Sequence, residues 1–338
     1  MRNHNIDIAR FIGLAMIIAA HCNPPSILFQ LRNFDVPLMV LVAGMSYALS
    51  HKSGDAYTTY LWKRAKRLVI PVWIFLTIYF VVLSVLAPDD PSLSRQTMTE
   101  SYALIGGIGY VWIIKVLLLV ALVAPFLYQL NNKITSNKNY FSLIAATLVL
   151  YEAFRYTTLS TPQDSPGGIA TQLSLYTISY GTLFAIGLRM NALNTTQLFR
   201  LALVSLGVFV AVAIGLFVIN QKFSPTQQFK YPPSVYYYAY ALFVSCLLWR
   251  YRQRVEHGLE ALRVKPVILF IAQNSIWVYL WHIPFAEKIY KPFAEKYVIT
   301  FALAVIITYT QVWLVKRFLA TGIASDGVKR NVKAFLTG

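Results

Sequence analysis

The sequence is poor in charge, in acidic residues and in cysteine. Of 338 residues only 13% are charged, and 13 Asp or Glu stand against 30 Lys or Arg. A soluble domain carries about twice that charged fraction, so a soluble globular fold is excluded. The two cysteines, Cys22 and Cys246, fall at or within hydrophobic segments, and no disulfide framework is expected. There is no phosphate-binding glycine loop, dinucleotide fingerprint or nucleophile elbow. His4, His21, His51, His257 and His282 include no i,i+4 pair, and no metal site is expected. No tandem repeat is visible, nor the glycine-broken symmetry that marks many transporters. No long hydrophilic stretch interrupts the chain, so residues 1–338 are expected to form one integral-membrane domain without a soluble domain. The first apolar stretch lacks a small-residue cleavage site and is expected to remain as an anchor.

What is present is apolar sequence: 57% hydrophobic residues, with 22 Tyr, 21 Phe and 7 Trp. The hydrophobic runs are too long and too many for a soluble core. They predict an all-α bundle of about ten transmembrane helices, near 6–22, 35–50, 66–87, 108–130, 139–156, 173–190, 198–220, 234–250, 266–285 and 297–319. The aromatics suit interfacial belts and an aromatic-lined cavity. Net charge is +17, which invites a nucleic-acid reading, but the basic residues are distributed as a topology signal. With the N-terminus inside, 20 Lys or Arg fall on the inner side, among them Arg2, Lys52, Lys63, Arg64, Lys66 and Arg67. Eight fall outside: Arg32, Arg95, Arg155, Lys222, Lys230, Lys288, Lys291 and Lys296. Arg10 and Lys115 complete the 30 from within spans. This asymmetry predicts N-in, C-in and an even number of spans.

Titratable groups inside a bilayer are costly and rarely persist there without a task. Arg10 and His21 lie in the first span, eleven residues apart, which at 100° each returns to within about 20° of the same face. They stand about 16 Å apart along the helix axis. Asp7, at i−3 from Arg10, is its natural ionic partner. An imidazole at His21 can take a proton from a hydroxyl or return one to a leaving group; the plainer reading is a hydrogen-bonded helix-end histidine. Asp35, at the mouth of span two, is placed either to orient His21 or to cap a helix that Pro37 begins. Arg64 and Arg67, at i and i+3 in a run of four basic residues, suit bidentate phosphate contacts, and equally an anionic-lipid anchor.

Lys115 sits in an apolar run with Trp112 and needs a partner or a cavity. Glu152 and Arg155 read as a local ion pair or as part of an acceptor pocket. Pro232 and Pro233 stiffen the segment carrying Lys230 and Tyr231, which reads as a cleft wall or as loop punctuation. Ser275, Tyr279 and His282 share one helix face by i, i+4, i+7 spacing, as inter-helix glue or cavity lining.

Taken together these segments resemble the membrane acyltransferase-3 family of integral-membrane O-acyltransferases. The elements are Arg-x10-His in span one (Arg10, His21), the basic third span with Arg64, Arg67 and Pro71, a Trp-containing fourth span ending in Pro125, Lys-Tyr-Pro-Pro at 230–233, and Asn274, Ser275, Tyr279 and His282 in span nine. Each is weak alone, and their order across nearly the whole chain makes the set specific. The second span departs: where the family shows a Ser-Gly turn this chain has Ala43-Gly44, with Ser46 nearby.

The resemblance implies an acetyl-CoA donor from the cytoplasm and a hydroxyl acceptor on an envelope glycan, such as O-antigen, capsule or exopolysaccharide, at a bacterial inner membrane. It implies His21 as general base with Asp35 and Arg10 as its catalytic neighbours. Arg64, Arg67, Arg10, Lys115 and Trp112 would bind acyl-CoA, and Glu152, Arg155, Lys230, Tyr231, Ser275, Tyr279 and His282 the acceptor. Direct transfer and an acyl-histidine relay both remain open. A membrane transporter of a glycan or small molecule is the alternative from another class.

Overall fold

The structure, a computed structural model, describes residues 2–50, 56–160, 162, 165–321 and 325–337. His51 and Lys52, counted above, lie outside the described residues. All regular secondary structure among the described residues is helical. The first half of the chain holds α1 (His4–His21), α2 (Ser26–Leu31), α3 (Asp35–Ser50), α4 (Tyr57–Leu86), α5 (Arg95–Ala103), α6 (Trp112–Lys133) and α7 (Asn137–Thr158). The second half holds α8 (Pro166–Met190), α9 (Thr195–Asn220), α10 (Val235–Arg250), α11 (Arg252–Ala261), α12 (Lys265–Gln273), α13 (Ser275–Lys288), α14 (Phe293–Ala320) and α15 (Asp326–Leu336).

Five stretches are long and apolar enough to cross a membrane: Ser26–Ser50, α4, α6, α9 and α14. A sixth results if α12 and α13, bent by 86° at Asn274, form one broken span. The ninth expected span is therefore two helices and not one straight rod. The expected spans at 6–22, 139–156, 173–190 and 234–250 coincide with α1, α7, α8 and α10. These are shorter or more polar, and length and composition alone do not count them.

The chain divides into two compact units, and their boundary passes through α1 and α6. Unit 1 holds 1–13, 25–53 and 119–265. Its core is the pair α3 and α8, which meet at two glycines. A Cβ on Gly44 would stand 2.3 Å from the Phe184 carbonyl oxygen, and one on Gly187 would stand 2.3 Å from that of Leu41. Only glycine permits this backbone approach, so Ala43-Gly44 is a packing contact within a continuous helix and not a turn. Arg189, buried near the end of α8, gathers the end of α6. It donates to Asn131 Oδ1 (2.8 Å) and to the carbonyls of Asn131 (2.7 Å) and Ile134 (2.5 Å). Those carbonyls lack partners within their own helix end. A capping box of Asn194 and Gln197 starts α9. Much of the α9 surface is exposed and apolar, including Val204, Ile214, Phe217 and Ile219, as a lipid-facing helix requires. Its other side packs on α10, where Phe209 stacks on Tyr236 with ring centroids 5.0 Å apart.

Unit 2 holds 14–24, 54–118 and 266–338. Here α4 and α13 run side by side in the same direction. Phe75 meets Trp281 at 5.6 Å, and one turn on Tyr79 donates to Glu287 Oε2 at 2.6 Å. Trp281 Nε1 donates to Gln311 Oε1 (2.8 Å), tying α13 to α14. Trp73 Nε1 donates to the Tyr102 carbonyl (2.9 Å), holding α5 on α4.

Candidate active site

Unit 2 brings His21 and His282 together although 261 residues separate them in sequence. His21 ends α1 and is half-buried; His282 lies on α13 and is fully buried. His21 Nδ1 and His282 Nε2 are 2.7 Å apart and the rings are nearly parallel, with centroids 5.0 Å apart. The other nitrogen of His282, Nδ1, hydrogen-bonds the backbone carbonyl of Tyr279. A carbonyl only accepts, so in the neutral ring Nδ1 carries the proton and Nε2 is an acceptor. His21 must then donate from Nδ1, which leaves its Nε2 with a lone pair. Of two tautomers, this arrangement selects the one in which His21 Nε2 is a base.

Two tyrosines frame the pair. The Tyr110 ring meets His21 edge-on at 4.7 Å, and Tyr279 lies 6.4 Å from it. The Tyr279 hydroxyl donates to the Tyr110 carbonyl, fixing the turn before α6 to α13. Glycine makes that turn possible: Gly107 takes φ +75°, and a Cβ there would strike the side chain of Ser101. Ser275 lies one turn before Tyr279 on α13, so the polar stripe read from the sequence is real, and its last member is the imidazole partner of His21.

Unit 2 also carries Arg64, Arg67, Lys115 and Trp112. Arg64 is half-buried with its guanidinium 5.4 Å from the Tyr60 ring, Lys66 lies 5.1 Å from that of Trp62, and Arg67 is exposed. Lys115 is half-buried, 3.5 Å from the Ile105 carbonyl oxygen. Arg10 belongs to unit 1, where it donates to Asp7 Oδ1 (2.6 Å) and to Ser46 Oγ (2.9 Å). The Asp7 partnership expected from sequence is present, and Arg2 joins it at 2.5 Å.

Asp35 is a buried ion-pair centre of unit 1. Its carboxylate accepts from Arg32 Nη1 (2.7 Å) and from the Val36 amide (2.7 Å), and Lys230 Nζ approaches to 3.6 Å. The partner on His21 Nδ1 is an imidazole of α13, which sequence reasoning had offered as an acceptor contact. Burial pulls the Lys230 ammonium down to about 8, with Asp35 opposing. Lys230 thus lies behind the wall that Tyr231 presents, 3% exposed against 49% for Tyr231.

An open cleft in unit 1 is lined by Arg155, Thr158, Gln172, Tyr176, Tyr231 and Pro232, among others. Glu152 and Arg155 are ion-paired, and Glu152 Oε2 also accepts from the Val235 amide at 2.9 Å. The pair is local, and its arginine lines the cleft. Sequence reasoning missed Tyr110, Tyr79 and Glu287. The signal for Glu287 is a carboxylate five residues beyond His282 at the end of an apolar helix. Its hydrogen bond to Tyr79 crosses 208 residues and has no local signature.

A profile of the acyltransferase 3 family, described as an acyltransferase domain, matches residues 3–317. The match covers most of the chain, which therefore belongs to the acyltransferase 3 family. With its apolar helices, the chain is a multi-pass integral membrane protein. A comparison with curated proteins finds no match.

Proposed function

We propose that this protein is a membrane O-acetyltransferase that moves an acetyl group from acetyl-CoA to a sugar hydroxyl of an envelope polysaccharide or its lipid-linked precursor. The observation that carries this reading is the His21–His282 pair, a base with its tautomer held, in a chain of acyltransferase family. The acceptor hydroxyl gives its proton to His21 Nε2 while its oxygen attacks the thioester carbonyl. The C–S bond then breaks, and the thiolate of CoA takes the proton back from His21. His282 is the positioning residue in this scheme, the role sequence reasoning gave to Asp35. The same Nε2 lone pair would serve as the nucleophile of an acyl-histidine relay, so both routes stay open.

In unit 2, Arg64 and Arg67, with Lys115 and Trp112, are assigned to the donor, whose phosphates match guanidinium geometry. In unit 2, Ser275 and Tyr279 beside the histidines are assigned to the acceptor, and in unit 1 Arg155 and Tyr231, backed by Glu152 and Lys230, to a glycan-binding cleft. The cleft's tyrosine, amide and hydroxyl groups suit a sugar ring. Ten spans with both termini inside agree with the Lys and Arg asymmetry, and a bacterial inner membrane is what the family resemblance implies.

The test is acetyl transfer by purified protein in nanodiscs with an envelope-glycan pool, wild type beside His21→Ala, following CoA release and labelled glycan. Release that disappears in the variant, with labelled glycan formed only by wild type, supports the reading. Equal CoA release by both proteins, or acetyl-CoA that binds to neither, refutes it.

A further inference from the structure

We infer that α15 is an interfacial helix that binds the anionic phosphate headgroups of membrane phospholipids. The helix lies beyond the family match, which ends at residue 317. At 100° per residue, Lys329, Arg330 and Lys333 fall within an arc of about 100°, and Val328, Val332, Phe335 and Leu336 fill a neighbouring arc of about 100°. A basic arc beside an apolar one is the pattern of a helix lying in the plane of a membrane surface.

The packing puts α15 at the end of the spans. Its last turn is fixed by two side chains: Trp277 Nε1 donates to the Phe335 carbonyl (3.1 Å) and Gln311 Nε2 to that of Leu336 (2.8 Å). The helix packs on α4 and α14. The α4–α13 register, Phe75 against Trp281, places Trp277 level with Pro71, one turn earlier on each helix. The next turns of α4 away from Phe75 carry Arg67 and Arg64. On α14, Arg317 lies over the Trp313 ring at 5.5 Å, a pairing usual where a span leaves the apolar core.

Charge and exposure choose the occupant. Arg330 and Lys333 are exposed and Lys329 is half-exposed. Among the described residues none of these three side chains forms an ion pair or hydrogen bond. Val328, on the apolar arc, is 46% exposed. A soluble polyphosphate would neutralise the basic arc and leave Val328 in water. A lipid surface satisfies both, with phosphates at the basic arc and acyl chains at Val328.

The experiment is hydrogen exchange of residues 326–336 in the full-length protein, in nanodiscs of phosphatidylcholine alone or mixed with phosphatidylglycerol. Each basic residue near an anionic surface gains about fivefold, so three slow exchange on the order of a hundredfold. High salt should reverse the slowing, and K329Q/R330Q/K333Q should abolish it. Equal exchange of the wild-type helix in both lipids overturns the inference, independently of how the variant folds. Slowing by CoA in neutral discs also overturns it, assigning the surface to the donor. The readout is exchange and not acetyl transfer, so failure here leaves the proposed reaction untouched.

Discussion

Replacing His282 tests the reading of the histidine pair most directly. In His282→Ala, His21 Nδ1 loses the acceptor 2.7 Å away that favours the proton on that nitrogen. His21 can then carry its proton on Nε2, where it cannot act as a base. General-base catalysis contributes about 10²–10⁴-fold, and losing its orientation should remove roughly a hundredfold from kcat, about 2.7 kcal/mol. KM for acetyl-CoA should change little, because His282 is fully buried. His282→Gln offers an amide oxygen near the original Nε2 position and should recover much of the loss. The assay is CoA release and labelled product in nanodiscs, with detergent melting curves showing that each variant is folded. A folded His282→Ala with wild-type kcat refutes the argument, as does a Gln variant no better than Ala.

Three further predictions follow from unit 1. Gly44→Ala forces a methyl to 2.3 Å from a backbone oxygen and should destabilise the protein by about 3 kcal/mol in thermal unfolding, whereas Gly207→Ala, with nothing within 4 Å, should be neutral or stabilising. Lys230 titrates near 8 when folded against 10.5 ordinarily, so between those values the unfolded chain binds more protons and stability rises with pH. This contribution, about 3 kcal/mol in full, should vanish from the pH dependence of unfolding in Lys230→Met. Arg189→Met strips donors from the carbonyls of Asn131 and Ile134 and should cost about 3–5 kcal/mol, and Arg189→Lys should recover little, since a single ammonium cannot replace the planar fork.

Much of the architecture was legible because its signals are local. Hydrophobic runs marked the helices, and Asp35 with Pro37 marked the start of α3. Arg10 with Asp7 and Glu152 with Arg155 were legible as pairs because i,i+3 neighbours share a helix face whatever the rest of the chain does. Ser275, Tyr279 and His282 were legible as a stripe for the same reason. Asp35 was read either as an orienter of His21 from the mouth of span two or as a helix cap, but a buried carboxylate takes whatever cations the fold brings to it. Here these are Arg32 from the preceding turn and Lys230 from 195 positions away. The ninth span was read as straight because hydropathy does not report the 86° bend at Asn274.

The sequence by itself determined that the chain is helical and membrane-embedded, and which residues are too polar to sit idle there. Its composition and periodicity suffice for that, since water-free surroundings force backbone polar groups into helices. Tertiary structure alone decided who meets whom. It paired His21 with His282, brought Tyr79 to Glu287 and laid α3 on α8 at two glycines. Each of these contacts joins segments far apart in the chain, and only packing fixes their distance and the direction in which a proton is held.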